Sequence, residues 1–201
     1  MSVRLAIANF YLTKRMIRKE LLHVEQVTNS ALDEAIRANA PGHNPSAPTA
    51  DDAGLEELRD RMARGHKERV AILVEALGRE KAVEVARLAL YQAGMQLGKE
   101  ARAKLGVQDD IRDLERAARV LYRVLGIDFT MSFRNGRGEM RVHRCALARN
   151  YDSSTCAVLC ATDEGVVHGL SELAELRFTQ HLTSGKPDCV AELRFGKGAG
   201  E

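Results

Sequence analysis

The residue types best suited to covalent or metal chemistry are concentrated in the C-terminal quarter of the chain. All four cysteines fall in or just before it, within the last 57 residues, at Cys145, Cys156, Cys160 and Cys189. A deprotonated thiol is a nucleophile and also a ligand for soft metals. The sequence therefore predicts that the chemistry of this protein, if it has any, resides in this part of the chain.

The segment around Cys160 places several reactive groups on one predicted helix. Cys156 and Cys160 are four residues apart, so they share one helical face. Asp163 and Glu164 extend that face by a turn, and His168 lies a further turn along. We expect Cys160 to be a nucleophile or metal ligand, with Asp163 or Glu164 as general base. The alternative is that both cysteines pack as small core hydrophobes and both acids are solvated.

A soft-metal site is a second chemical possibility. Acidic neighbours raise the pKa of a thiol, so a reactive thiolate at Cys160 needs a nearby cation or a metal. Thiolates and imidazoles suit a soft divalent metal such as zinc, or iron, and the residues available as ligands are Cys145, Cys160, His181 and Cys189. Their spacing matches no paired C-x-x-C motif, so the cofactor stays unknown. For His181 the alternative is a surface turn residue.

Two further side chains are candidates for binding a substrate. Arg144, at the end of a predicted strand, can hold a carboxylate bidentately. Its alternative role is an ordinary surface ion pair. His168 is the second candidate, because it continues the helical face that carries Cys160.

The elements that must position these residues change type along the chain. Apolar spacing predicts helices over 3–23, 27–38, 54–77, 81–105 and 109–125. Strands over 127–133 and 139–143 follow around an Asn135-Gly136 turn, then a helix over 154–170 and strands over 176–182 and 190–195. This order predicts an α+β fold with N-terminal helices packed on an antiparallel sheet.

The domain organisation follows from the position of the prolines. Three of the four lie in residues 41–53, which we interpret as a linker after a helical N-terminal arm, residues 1–40. The arm docks on the rest of the chain or on a second subunit, and we expect a homo-oligomer formed through it. Residues 54–196 form a single ligand-binding or catalytic domain, and the glycine-rich residues 197–201 form a disordered tail.

Bulk composition excludes several classes of function. A net charge of +2 gives no overall attraction to nucleic acid or membrane, and aromatic residues make up 4% with no tryptophan. No run of 18 apolar residues exists, which predicts that the chain does not cross a membrane. The short apolar stretch at 5–12 lacks a small-residue cleavage site. We therefore expect a cytoplasmic protein with reduced thiols that binds a small molecule, and no nucleic acid or membrane.

The stretch from Arg144 to Phe195 resembles the C-terminal half of the L-2-amino-thiazoline-4-carboxylic acid hydrolase family. The similarity rests on a cysteine after the second strand, a cysteine three residues before an aspartate, and a closing G-x-x-x-C strand, here Cys145, Cys160, Asp163, Gly185 and Cys189. The stretch is also similar to V4R (4-vinyl reductase-like) domains, as is the tyrosine- and glycine-bearing segment 90–98. Lys186 stands where the V4R pattern has an aspartate.

The resemblance implies a V4R-like strand-strand-helix-strand-strand C-terminal half with a pocket between sheet and helices. It also implies that Cys145, Cys160, Asp163 and Cys189 face that pocket. The implied activity is hydrolysis of a small cyclic C–N substrate of the thiazoline carboxylate type through the Cys/Asp cluster. The alternative is a small-molecule or soft-metal sensor domain without catalysis, so whether the protein is an enzyme stays open.

Overall fold

The computed structural model describes residues 3–43, 45–46 and 53–196. The helices are α1 (Val3–Phe10), α2 (Lys14–Asn39), α3 (Leu55–Leu77), α4 (Arg79–Leu105), α5 (Ile111–Leu125) and α6 (Ser153–Leu170). The strands are β1 (Ile127–Arg134), β2 (Arg137–Cys145), β3 (Ala174–Gln180) and β4 (Cys189–Phe195). Short 3-10 turns at Leu147–Arg149 and Leu182–Ser184 precede α6 and β4.

The strands form one antiparallel sheet in the order β1-β2-β4-β3. The predicted α+β fold and its strand-strand-helix-strand-strand C-terminal half are confirmed. Asn135 and Gly136 both have positive φ, at 52° and 76°, as a two-residue hairpin turn requires. Side chains alternate along each strand, so one face of the sheet is buried and packs on α5 and α6.

Helices α4 and α6 lie unusually close together because glycines line their contact. A Cβ atom on Gly94 would lie 2.1 Å from the carbonyl oxygen of Thr162, and one on Gly165 would lie 2.1 Å from that of Tyr91. A Cβ atom on Gly98 would lie 2.3 Å from the carbonyl oxygen of Val166 on α6. The four-residue spacing of Gly94 and Gly98 places both on one face of α4 and permits this approach, which fixes α6 against α4.

The N-terminal helices have different bounds from those predicted. The chain leaves the helical conformation at residues 11–13 and then forms one unbroken helix, α2, so helices over 3–23 and 27–38 were wrong. The reason for the break is that Thr13 caps α2, its hydroxyl accepting a hydrogen bond from the Met16 amide at 3.3 Å. Helix α2 buries Leu21, Leu32 and Ile36 against the other helices of the chain.

Three predictions about the outer parts of the chain are not settled by the fold. Residues 44 and 47–52 of the predicted linker, and the whole predicted tail 197–201, lie outside the described residues. Association of two chains through the arm stays a prediction. Within the described residues, no helix combines the length and apolar character needed to span a bilayer.

Candidate functional site

A cavity of about 80 Å³ lies between the buried face of the sheet and helices α2, α3, α5 and α6. A single water needs roughly 10–15 Å³ of such space, so the cavity has room for a small ring. Its wall is mainly apolar. The wall residues with functional groups are Thr28, His66, Tyr122, Cys145, Tyr151, Cys156, Cys160, Thr162, Asp163 and Cys189.

Helix α6 supplies the central part of this wall. Its first turn is fixed by Asp152, which accepts hydrogen bonds from the Thr155 amide at 2.8 Å and the Thr155 hydroxyl at 2.9 Å. From this start the helical period brings Cys156, Cys160 and Asp163 to the cavity. Residues three and four apart on a helix have Cβ atoms about 5–6 Å apart, so Cys160 and Asp163 are neighbours.

His181 approaches the thiols of α6 from the end of β3. Its Nδ1 atom lies 3.5 Å from the sulfur of Cys160 and 3.9 Å from that of Cys156. The potential ligand atoms of these three residues all lie within 4.8 Å of one another. His181 is half-buried, stacks on Phe178 and is not part of the cavity wall. Its link to the cavity is therefore its contact with the sulfur atoms of Cys156 and Cys160.

The other two thiols differ in their surroundings. Cys189 opens β4, and its sulfur accepts a hydrogen bond from the Leu182 amide at 3.2 Å. The hydrogen bond with Cys156 and, to a smaller extent, burial raise the pKa of Cys189. Cys145 ends β2 outside the group of Cys156, Cys160 and His181. Burial raises the pKa of Cys145 to about 12, so its thiol stays protonated.

Cys160 and His181 have pKa values that favour a protonated imidazole beside a thiol. Hydrogen bonds to Cys156 and Cys189 raise the pKa of His181 to about 9, which makes it a cation at neutral pH. A hydrogen bond from Cys156 lowers the pKa of Cys160, but burial and the charges of neighbouring groups raise it by more. The resting form of Cys160 is thus a thiol, and its thiolate, once formed, faces a cation.

Asp163 is the titratable carboxyl group of the cavity wall. Burial raises its pKa to about 7, against the opposing effect of a hydrogen bond with Tyr122. Tyr122 is buried on α5, and burial raises its pKa well above the usual value. A carboxyl group that titrates near neutral pH is suited to accept and return a proton during a reaction.

A chain of hydrogen bonds lies in another part of the wall. The hydroxyl of Thr28 donates to the Val24 carbonyl at 2.8 Å, so it accepts from Nε2–H of His66 at 2.8 Å. The Nδ1 atom of His66 then accepts from the hydroxyl of Tyr151, also at 2.8 Å. Burial, with the charge of Arg69, lowers the pKa of His66 to about 3 and keeps the imidazole neutral.

The structure brings the four residues implied by the resemblance, Cys145, Cys160, Asp163 and Cys189, to one cavity. It places three other predicted site residues elsewhere. Glu164 forms an ion pair with Arg87 at 2.6 Å and accepts a hydrogen bond from the Phe178 amide.

Arg144 and His168 also lie outside the cavity wall. Arg144 is exposed and forms an ion pair with Asp128 at 2.8 Å, the alternative named for it. His168 contacts the ring of Tyr91, with ring centroids 6.2 Å apart. The predicted metal ligands also divide, since Cys160 and His181 lie together with Cys156, whereas Cys145 and Cys189 are outside that group.

Several wall residues were not anticipated from the sequence. They are Thr28, His66, Tyr122, Tyr151 and Thr162. One signal was available for His66, because it lies four residues after Met62 and four before Val70, both buried on the apolar face of α3. A histidine buried on such a face needs a hydrogen-bond partner, so its position predicts a buried polar interaction.

The fold and the site define a class of protein, an α+β protein with a thiol-lined cavity between helices and sheet. Residues 59–193, well over half of the chain, match the family model described as L-2-amino-thiazoline-4-carboxylic acid hydrolase. The chain belongs to this family, as the resemblance indicated. The sequence matches no curated protein.

Two of the solved structures that resemble this chain show how distant the likeness is. One is trafficking protein particle complex subunit 3 from Naegleria fowleri, covalently bound to palmitic acid, with 16% identity, a TM-score of 0.47, and coverage of 73% of this chain and 98% of that chain. The other is a mutant H-NOX of T. tengcongensis, with 12% identity, a TM-score of 0.43, and coverage of 94% and 100% respectively. At these levels neither likeness assigns a ligand to this chain.

Proposed function

We propose that the protein hydrolyses a small cyclic amidine, opening a ring C–N bond, with Cys160 as nucleophile and Asp163 as general base and acid. The observation that carries the proposal is the placement of Cys160 between a cation, His181 at 3.5 Å, and a cavity that also contains Asp163. Membership of the hydrolase family supports the reaction class. The size of the cavity supports a small ring.

In the first half of the reaction, the thiol proton of Cys160 passes to the carboxylate of Asp163 while the sulfur adds to the amidine carbon and the electron pair of the exocyclic C=N bond moves to its nitrogen. This C=N bond then re-forms as the ring C–N bond breaks, and Asp163 returns the proton to the ring nitrogen. The imidazolium of His181 stabilises the negative charge that develops on the sulfur as its proton leaves. Asp163 suits the role because its pKa of about 7 allows both directions of transfer at neutral pH.

In the second half, Asp163 accepts a proton from water as the water oxygen bonds to the same carbon. The bond from that carbon to Cys160 breaks, and Asp163 protonates the departing sulfur. The balance is one substrate and one water converted to one ring-opened carbamoyl product. Each step thus uses groups of the cavity wall or its immediate neighbour His181.

The test is turnover of 2-amino-2-thiazoline and of its 4-carboxylate, with the ring-opened product detected by mass spectrometry. Cys160→Ser, which retains the shape of the side chain, should lower kcat by at least about a hundredfold. Ser154→Ala, on the same helix but outside the cavity wall, is the matched control and should retain kcat. Unchanged turnover in Cys160→Ser would remove Cys160 from the nucleophile role.

A second candidate function, binding of a soft metal without catalysis, is favoured by the cluster of Cys156, Cys160 and His181. Two sulfurs and an imidazole nitrogen are ligands that zinc accepts, and Cys189 is hydrogen-bonded to Cys156 and His181. The two candidates exclude each other at Cys160, because a metal-bound sulfur is not free to attack a substrate. Zinc should then inhibit turnover rather than support it.

Titration of reduced protein with zinc, followed by calorimetry, separates these candidates. A sensor site predicts one equivalent bound, with binding lost in Cys156→Ala and kept in Cys145→Ala, since Cys145 lies outside the cluster. Absence of binding in the wild-type protein would remove the metal candidate and leave the hydrolase.

A further inference from the structure

The start of the chain exposes a cluster of large apolar side chains. Among the described residues six large hydrophobic side chains are exposed, and four of them form what we call the N-terminal patch: Ile7, Phe10, Tyr11 and Met16. Phe10 is 83% exposed and Tyr11 is 74% exposed, the two highest values among the six. Single exposed apolar residues are common on protein surfaces, whereas a cluster with two aromatic rings indicates an interaction surface.

The patch extends from the outer face of α1, because the inner face of this helix is already covered. Leu5 is completely buried, and Ala8 and Leu12 pack against the core cluster that includes it. Ile7 and Tyr11 are four residues apart on the opposite side. The Tyr11 amide donates a hydrogen bond to the Ile7 carbonyl at 2.9 Å, so the helical turn continues to Tyr11. Packing within the chain therefore uses one face of α1 and leaves the patch on the other.

Positive charge lies on both sides of the patch in the sequence. Residues 3–19 contain five basic residues and no acidic one. One of the five, Arg18, donates a hydrogen bond to the carbonyl of Ala53. The other four are exposed and form no ion pair with the described part of the chain; they are Arg4, Lys14, Arg15 and Lys19. The patch is therefore flanked by positive charge that no described acidic side chain neutralises.

Aromatic side chains beside unpaired cations match the chemistry of an anionic phospholipid surface. Aromatic rings insert at the level of the headgroups, while lysine and arginine contact the phosphates. A second copy of the chain fits poorly, because a symmetric contact through this patch would bring equal positive charges together. The expectation that the protein binds no membrane rested on an overall charge of +2 and on the lack of a spanning segment, and neither property describes a local patch.

We propose that the N-terminal patch attaches the protein to a membrane surface that contains anionic phospholipids. Phe10 and Tyr11 insert among the headgroups, and the four exposed cations contact the phosphates. The attachment is peripheral, because the eight residues of α1 span only about 12 Å and the hydrocarbon core of a bilayer is about 30 Å thick. The inference is independent of the proposed function, since no residue of the patch lines the cavity.

The test is sedimentation of the full chain with vesicles of phosphatidylcholine alone and with vesicles in which about 30% of the lipid is phosphatidylserine. The protein should bind the anionic vesicles at least about tenfold more tightly, because each basic residue near such a surface contributes about fivefold. Raising the salt concentration from about 0.1 M to about 1 M should weaken this binding at least about tenfold, since the Debye length shortens from about 10 Å to about 3 Å.

Two double variants assign the binding to the patch and its flanking charge. Phe10→Ser with Tyr11→Ser removes the aromatic rings, and Lys14→Gln with Arg15→Gln removes two of the cations. Each double variant should weaken binding to the anionic vesicles at least about tenfold. Both should keep the Tm of the wild type, because all four side chains are exposed.

The matched controls remove the same kinds of side chain elsewhere on the surface. Leu88→Ser removes a 63% exposed side chain about 20 Å along α4 from Ala101, which belongs to the same core cluster as the inner face of α1. Lys67→Gln removes an exposed cation of α3 beside His66, whose partner Thr28 lies about 20 Å along α2 from the first residue of that helix. Both controls should bind the vesicles as the wild type does.

Three outcomes would overturn the inference. They are absence of binding to the anionic vesicles, equal binding to both kinds of vesicle, and unchanged binding in the two double variants. Sedimentation of the protein without lipid identifies the alternative occupant. If the wild type is a dimer that Phe10→Ser with Tyr11→Ser converts to monomers, a second copy of the chain covers the patch and the lipid assignment is wrong.

Discussion

The Nδ1 atom of His181 lies 3.5 Å from the sulfur of Cys160, although the two residues belong to different elements of the fold. Acidic neighbours raise the pKa of a thiol, and this contact supplies the cation that a reactive thiolate then needs. Its geometry depends on the 3-10 turn at Leu182–Ser184, which ends at Gly185 with φ of 75°. The position of His181 relative to Cys160 on α6 therefore depends on the turn between β3 and β4.

Removal of this cation should lower the reactivity of Cys160. In His181→Gln the sulfur loses the imidazolium, so the thiolate fraction falls and alkylation by iodoacetamide at pH 7 should slow by about tenfold. The measurement is the rate of modification of the peptide containing Cys160, followed by mass spectrometry. His168→Gln is the matched control, because His168 contacts Tyr91 and not the thiols. An unchanged rate in His181→Gln would show that the cation does not act on the sulfur.

Asp163 should make the stability of the protein depend on pH. Its pKa is about 7 in the folded protein against 3.8 for an unperturbed aspartate, chiefly because of burial. The folded state therefore binds more protons than the unfolded state between these values, and stability falls as pH rises from about 4 to about 7. At higher pH the full cost is present, at most about 4 kcal/mol from the size of the shift.

The substitution Asp163→Asn removes this cost. The variant should unfold at a higher urea concentration than the wild type at pH 8, and the difference should vanish near pH 4. Asp128→Asn is the control, because Asp128 forms an exposed ion pair worth less than about 1 kcal/mol. A difference between Asp163→Asn and the wild type that is constant with pH would contradict the burial of this carboxylate.

Glu164 should contribute to stability rather than to chemistry. Its carboxylate is largely buried and forms a 2.6 Å ion pair with Arg87, which is about one third exposed. Glu164→Gln leaves Arg87 without its anion, and we expect a loss of about 2 kcal/mol, below the value for a fully buried pair. Urea denaturation measures the loss, with Glu172→Gln as the exposed control. An unchanged stability would contradict the importance of the pair.

Local sequence chemistry was sufficient to predict much of the fold. The Asn135-Gly136 turn sets the register of β1 and β2, because its two residues have the positive φ that this hairpin turn requires. The spacing of Gly94 and Gly98 shows that another backbone can approach α4 closely, but it does not show that this backbone is α6. The start of α2 was missed, because apolar periodicity alone does not show a break at Thr13.

The site was predictable only in part, because side-chain direction depends on which elements pack around a helix. Family resemblance indicated Cys160 and Asp163, and both line the cavity. Glu164 follows Asp163 by one residue, a rotation of about 100° that points it to Arg87 on α4. The side of α6 that α4 covers is a long-range property of the fold. For the same reason the sequence did not place His181 beside Cys156.

The contact between α4 and α6 should be intolerant of even one methyl group, and the cavity should depend on it. An alanine at Gly94 would place its Cβ 2.1 Å from the carbonyl oxygen of Thr162, so the helices must separate. We expect Gly94→Ala to lower stability by at least about 3 kcal/mol. Gly54→Ala is the control, since a Cβ there meets nothing within 4 Å and its φ of −64° suits alanine.

The same substitution should also disturb the site, because Thr162 and Asp163 follow α6 when it moves. Affinity for 2-amino-2-thiazoline, measured by calorimetry at a temperature where Gly94→Ala is still folded, should fall by at least about fivefold, the equivalent of roughly one hydrogen bond. Gly54→Ala should bind as the wild type does, because Gly54 lies outside the cavity wall. If Gly94→Ala were as stable as the wild type, α4 and α6 could not be in backbone contact at Thr162, and the cavity wall would need a different support.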